Sequence, residues 1–366
     1  MRSEVLYRIA LKKMPHIGDI TARELTEMCG TAEELFRNVE TLQQKTRLKD
    51  SQREFDQHKK AALESAEREL QFIEKYKIKA LLLDDAEYPE RLKQCADAPT
   101  VLFYRGNADL NSRKIISIIG TRNATEYGKQ ICEELLSGLV PFQPIIVSGL
   151  ALGIDGLAHK EALRRGLKTI GVLGHGLDRI YPHAHRSLAK KMIEQGGLLS
   201  DYCSGSNADK ENFPKRNRIV AGISEATIVL EAGIPGGALI TADLASGYGR
   251  EVFAFPGRSI DPYSAGCNLY IKNQKASLVE NAADLVFQLG WSEIHPAKKA
   301  LQANLFQQLS DAEKKIVAFL DENGEAGIDN IAYGCGMSMG TTSGTLLEME
   351  FKRLIRALPG KRFRRA

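Results

Sequence analysis

Five short runs of apolar, largely β-branched residues punctuate the middle of the chain: IISII (115–119), PIIV (144–147), TIGVL (169–173), ATIVL (226–230) and EVFAF (251–255). Each is apolar almost throughout instead of alternating with polar residues, which is the pattern of a strand covered on both faces. Between them lie YGKQICEELLSGL and DGLAHKEALRRG, whose apolar positions recur at the three- and four-residue spacing of a helix. Strands alternating with helices predict a Rossmann-like, doubly wound α/β domain with a mostly parallel sheet, over residues 111–290. Ligands of such sheets bind beyond the carboxyl ends of the strands.

The flanking pattern differs. Residues 1–110 read as an N-terminal all-α domain. Phe55, Ala62, Ala66, Leu70 and Ile73 mark one apolar face along SQREFDQHKKAALESAERELQFIEKY, and MPHIGDITARELTEMCGTAEELF before it has apolar Ile17, Ile20, Leu25 and Met28 with a turn at Gly18. Pro15 to Ala22 is similar to a helix-hairpin-helix of the SAM-like kind, with His16 where the first glycine of the turn usually stands. A side chain there hinders the close phosphate approach that glycine permits. Residues 291–308, including HPAKKALQANLFQQ, read as a linker. Residues 309–366 open on a Ser-x-x-Glu capping box at Ser310 and Glu313, continue with two more short helices and end in the basic PGKRFRR, which together predict a winged helix.

A hydrophobic content of 43% with 26% charged residues is that of a folded globular protein. The formal charge of +4 says little by itself, but its distribution is uneven. Lys352, Arg353, Arg356, Lys361, Arg362, Arg364 and Arg365 close the chain without an intervening acid, and Lys210, Lys215, Arg216 and Arg218 form a second knot. The six cysteines contain no C-x-x-C pair, so reduced thiols are expected in place of a disulfide framework or zinc site. No apolar stretch approaches the ~20 residues of a membrane span, and the start has no signal-peptide core. A cytoplasmic protein without metal or cofactor is expected.

Each predicted strand is followed by a loop rich in glycine and small polar residues. Gly120-Thr121-Arg122-Asn123 follows the first, Ser148-Gly149 leading to Gly153 and Gly156 the second, and Gly174-His175-Gly176 the third. Glu231-Ala232 and Pro235-Gly236-Gly237 follow the fourth, and Pro256-Gly257 with Gly266-Cys267-Asn268 the last. Glycine lets backbone amides approach an anion, and helix N-termini add their dipoles. The spacing is neither the dinucleotide G-x-G-x-x-G nor the P-loop G-x-x-x-x-G-K-[ST]. Arg122 is placed to fork onto a phosphate, and Phe213 among Lys210, Lys215, Arg216, Asn217 and Arg218 offers a ring for base stacking beside cations for the backbone.

These blocks, in order, resemble the DNA-processing protein A (DprA/Smf) family: Gly120-Thr121-Arg122, SGLALGIDGLAH (148–159), GHGLDRIYP (174–182), FPKRNRIVAGIS (213–224), EAGIPGGALITADLA (231–245), REVFAFPG (250–257) and GCN (266–268). The resemblance implies a protein, not an enzyme, that binds single-stranded DNA without strong sequence preference, shields it and loads the RecA recombinase during natural transformation. It also implies a homodimer joined through the Rossmann-like domain. Carried over by position, Arg122 matches the family's phosphate-pairing arginine, and Lys210 and Phe213 match its basic and aromatic pocket residues. Arg216, Asn217 and Arg218 would shape the pocket. Cys267 stands where relatives often have threonine, and Pro235 where serine is common. Gly120, Thr121, Asn123, Ser148, Gly149, Gly153, Lys215, Gly236, Gly266 and Asn268 complete the expected single-strand site.

Two rivals are weighed against this. Pro235-Gly236-Gly237 occurs also in nucleotide phosphoribohydrolase-like enzymes on related folds, where a catalytic glutamate follows. Here Ala238-Leu239-Ile240 follow instead; Glu231 reads as a loop-fixing acceptor, Asp155 as a helix N-cap and His159 as packed. The other rival is a winged-helix regulator of duplex DNA, whose recognition helix MGTTSGTLLEMEF carries Glu348 and Glu350 unfavourably for a groove.

Overall fold

The computed structural model describes residues 2–38, 52–291, 309–352, 354–358 and 360–365. The chain divides into two compact units, residues 1–296 and 297–366. The expected linker lies outside the described residues except for Trp291, as does Arg353 of the basic terminus.

The first unit is built on a nine-stranded sheet. In chain order its strands are β1 (Lys79–Leu82), β2 (Val101–Gly106), β3 (Ile115–Ile119), β4 (Ile145–Ser148), β5 (Thr169–Leu173), β6 (Gly196–Ser200), β7 (Ala226–Val229), β8 (Glu251–Ala254) and β9 (Ser277–Leu278). They lie side by side as β1-β2-β6-β5-β4-β3-β7-β8-β9. All pairs from β6 to β9 are parallel, and β1 and β2 add antiparallel at one edge. The chain runs outward from β3 to β6, then returns to β7 on the other flank of β3. That reversal makes the carboxyl ends of β3 and β7 the topological switch point, where such sheets open a crevice.

The five central strands are covered on both faces, as their nearly continuous apolar runs required. Ile115, Ile119, Ile145, Val147, Val172 and Val229 face one buried layer with helices Asn212–Ile223 and Gly237–Gly247. Ile116, Ile118, Ile146 and Ile228 face the opposite layer with helices Glu126–Leu139 and Ile154–Arg164.

The expectation of an all-helical stretch as far as residue 110 is corrected for its final part. Helices Arg2–Lys13, Asp19–Cys29, Ala32–Arg37 and Gln52–Lys75 are present, but residues 79–106 contribute β1 and β2 to the sheet. KALL is made of good helix formers, and only pairing with β2 in the register Lys79↔Tyr104 fixes it as a strand. The helices are fastened by buried charge. Asp19 accepts from Arg218 Nη2 at 2.8 Å, from Lys12 Nζ at 3.2 Å and from the Thr100 amide at 3.1 Å. Arg218 also donates to Asp201 at 2.7 Å. Burial opposes ionisation of Asp19, yet Lys12 and Arg218 pull its carboxyl down to about 2. His16 in the hairpin turn takes φ 60°, the left-handed conformation for which glycine is usual.

The second unit has helices Asp311–Asn323, Ile328–Gly334 and Met339–Phe351, with strands β10 (Glu325–Gly327), β11 (Ile355–Leu358) and β12 (Arg362–Arg365) in the order β10-β12-β11. Three helices and a small antiparallel sheet make the expected winged helix, and the capping box of Ser310 and Glu313 is formed. Ile316, Leu320, Ile331, Leu346 and Met349 fill its core.

Candidate nucleic-acid interface

A cleft of about 430 Å³ opens at the switch point. Of the residues expected at the site, it gathers Gly120, Thr121, Arg122, Gly149, Lys210, Phe213, Arg216, Asn217 and Gly236. Their chemistry is graded from floor to rim.

The floor is ionic and buried. Arg216 is 4% exposed. Its Nη1 donates to the carbonyl of Gly149 at 2.6 Å and to that of Val172. Asp155 accepts from the Gly149 amide at 3.1 Å; burial pushes its carboxyl upward against the pull of Arg216. A Cβ on Gly149 would lie 2.5 Å from the Arg216 guanidinium and 2.6 Å from the Asp155 carboxylate, so only glycine lets the two charges close on this loop. Arg216 therefore holds the ends of β4 and β5 together. Asp155 is not the N-cap that the sequence suggested: Gly153 is, with φ 77°. At that position a Cβ would meet the Thr121 carbonyl oxygen at 2.2 Å.

The rim is cationic and aromatic. Arg122 is exposed and makes no ion pair among the described residues, so its guanidinium is not tied inside the domain. It lies over the Phe213 ring at 5.9 Å from the centroid. Phe213 in turn meets Tyr181 at 5.8 Å between centroids, the planes 33° apart. Phe213 is half-buried, Tyr181 is 51% exposed and Lys210 is exposed. Arg122, Phe213 and Lys210 thus share one wall, Tyr181 touching Phe213 from outside the lining, with the start of the helix Gly237–Gly247 on the other wall.

The other expected residues are brought elsewhere. Arg218 is spent on Asp19 and Asp201. Ser148 is buried and donates to the Ile118 carbonyl at 2.6 Å. Asn268 clamps Gly257, donating to its carbonyl at 2.9 Å and accepting from its amide at 3.1 Å. Gly266 is buried, its amide donating to Ala232 at 2.8 Å, and Cys267 is 1% exposed. Gly153 packs on the Thr121–Arg122 backbone, Asn123 donates to the Tyr263 hydroxyl at 3.1 Å, and Lys215 is exposed outside the cleft lining. Many of the glycines thus serve close packing of one loop on another, and several crest amides are already bonded within the protein. Thr121 N–H donates to the Glu231 carbonyl at 2.7 Å. The Glu231 carboxylate accepts from the Thr125 amide at 3.0 Å and hydroxyl at 2.5 Å, so it fixes the loop that leads into the helix Glu126–Leu139, as expected, while Thr125 itself caps that helix. His159 is packed as expected, bonded through Nδ1 to Thr169 Oγ1 at 2.6 Å. Its Nε2 is buried without a partner among the described residues, and burial carries its pKa down to about 3.

Tyr263 and Thr241 line the cleft and were not expected there, nor was Tyr181, which adjoins it through Phe213. Tyr181 sits in the GHGLDRIYP block and could have been found there, but its meeting with Phe213, 32 positions later in the sequence, is a product of the fold.

Residues 79–290 match the family described as DNA recombination-mediator protein A, and residues 299–361 match the DprA winged helix domain. The chain belongs to the DprA/Smf family. It is 35% identical to Protein Smf of Synechocystis sp. over 330 residues, 81% of this chain and 83% of that one. It is 42% identical to DNA processing protein DprA of Streptococcus pneumoniae over 205 residues, 56% of this chain and 72% of that one. Among solved structures it is similar to DprA from Streptococcus pneumoniae, with a TM-score of 0.67 and 34% identity over 77% of this chain and 96% of that one. It is also similar to DprA from Helicobacter pylori, whose structure is described for its single-stranded DNA binding mode, with a TM-score of 0.53 and 29% identity over 58% and 96% of the two chains. Among the described residues no helix is long and apolar enough to cross a membrane.

Proposed function

We propose that the switch-point cleft binds single-stranded DNA without sequence preference, protecting it and delivering it to the RecA recombinase in transformation, in a cytoplasmic homodimer joined through the Rossmann-like domain and without a catalytic step. The observation that carries the DNA-binding reading is the exposed Arg122, without an ion pair among the described residues, lying over the Phe213 ring that Tyr181 adjoins at the mouth of the cleft. Arg122 and Lys210 neutralise phosphates, while the rings stack on bases of any sequence at about 1–3 kcal/mol each. Gly120, Thr121, Gly149, Asn217 and Gly236 form the surface the strand lies on, and Arg216 holds it in shape. Family membership and the single-strand binding described for the Helicobacter pylori relative support the reading.

The test is anisotropy titration of labelled single-stranded and duplex oligonucleotides across salt, with wild type, Arg122→Ala and Phe213→Ala. Arg122→Ala should weaken single-strand binding and reduce the salt slope by about 0.7 for the lost phosphate contact. Phe213→Ala should weaken it by ~1–3 kcal/mol at an unchanged slope. Wild-type binding equal for both forms of DNA, or a salt slope unmoved by Arg122→Ala, refutes the assignment.

A further inference from the structure

Beside the switch-point cleft lies a second one, of about 920 Å³, bounded by the residues after β8 and the start of the helix Glu126–Leu139. Its walls include Tyr127, Pro256, Pro262 and Tyr263, with Arg258 and Asp261 among them. Tyr263 lines both clefts, and Asn123, the residue after Arg122, holds its hydroxyl at 3.1 Å. The partition between the clefts is therefore an aromatic ring adjoining the proposed phosphate-binding arginine. Tyr127 is 43% exposed, yet its hydroxyl donates to the Pro256 carbonyl at 2.5 Å, so the ring is held in place while remaining accessible.

The charges in this cleft sort themselves. Arg258 is exposed and makes no ion pair among the described residues. Glu126 is engaged by Lys129 at 2.6 Å, and Glu231 is taken up by Thr125. That leaves the half-buried Asp261, which repels a phosphate but accepts from an exocyclic amino group. Rings, prolines and a hydrogen-bond acceptor around an arginine suit a base with its phosphate, where phosphate alone would find an unfavourable carboxylate.

We propose that this second cleft is a further nucleobase subsite on the single-strand path, with Arg258 pairing the phosphate that leads into it and Tyr127 and Tyr263 flanking the base. The proposal rests on the single-strand reading of the first cleft. It extends the footprint past Tyr263 and predicts that long strands gain contacts unavailable to short ones.

The test uses the full chain with a trinucleotide and a long oligodeoxycytidine, titrated by anisotropy across salt. Arg258→Ala should lower affinity for the long strand about tenfold, as for a lost charge-assisted contact, and reduce its salt slope by about 0.7, while leaving the trinucleotide unchanged. Tyr127→Leu should lower long-strand affinity about fivefold or more without changing the slope. Circular dichroism confirms that each variant is folded. Wild-type affinity in both variants, with Arg122→Ala still impaired, overturns the second subsite and leaves the first standing. Wild-type affinity in Tyr127→Leu alone reduces the feature to a phosphate contact and likewise overturns the base subsite. If Arg122→Ala is unimpaired as well, the reading of the first cleft falls with it.

Discussion

Asp19→Asn removes one charge, at constant shape, from the network that ties the N-terminal helices to the sheet domain. The side chain is 14% exposed and lies within 3.2 Å of Lys12 and 2.8 Å of Arg218. Its carboxyl sits at about 2, against an ordinary 3.8, and at about 1.4 kcal/mol per pH unit that displacement is worth about 2 kcal/mol of folding free energy. The sign follows from the direction: a depressed folded value stabilises above the unfolded value, and the contribution is lost as pH falls from about 4 through 2. Asp201 still holds Arg218 at 2.7 Å in the variant, which keeps the cost below the ~3–5 kcal/mol of a fully stranded buried charge. Urea unfolding followed by circular dichroism should show Asp19→Asn less stable by about 2 kcal/mol at pH 7, with most of the gap closed by pH 2. A midpoint equal to wild type at pH 7, or a gap that persists undiminished at pH 2, would refute the assignment. Because Arg218 shares the helix Asn212–Ile223 with Phe213 and Asn217, single-strand affinity measured alongside reports whether the brace also sets the site.

Gly153→Ala should cost about 2 kcal/mol or more in thermal stability and weaken single-strand binding with it, because φ is 77° and the new methyl would press on the Thr121 and Arg122 backbone. Unchanged melting and affinity would show that the loop yields. His159, fully buried with its pKa down at about 3, stabilises the fold above its ordinary 6.5, and that contribution drains away as pH falls from there. The melting temperature of wild type should therefore drop between pH 6.5 and 4 more steeply than that of His159→Gln, a window above that of Asp19; parallel curves would count against it.

The sequence by itself determined the five central strands, since runs such as IISII and TIGVL are apolar at every position or nearly so and have no solvated face to offer. It also determined the winged helix, where a capping box and a basic terminal strand are local features. The crest of strand-end loops was legible for the same reason, as glycine and small polar residues mark turns whatever surrounds them. What it could not contain was the use of each group. Arg216 and Arg218 lie two positions apart in one basic run, yet one reaches inward to Gly149 and Val172 and the other sideways to Asp19 and Asp201. Charge runs look alike in one dimension, and only burial separates a solvated cation from a structural one. KALL and VLFYRG became strands through pairing with distant partners, a non-local energy that local propensity does not encode. The cluster of Arg122, Phe213 and Tyr181 joins three separate segments, and it exists because the order in which the chain winds through the sheet reverses at β3 and β7, so the tertiary structure alone decided that a cation and two rings would come together where a ligand can reach them.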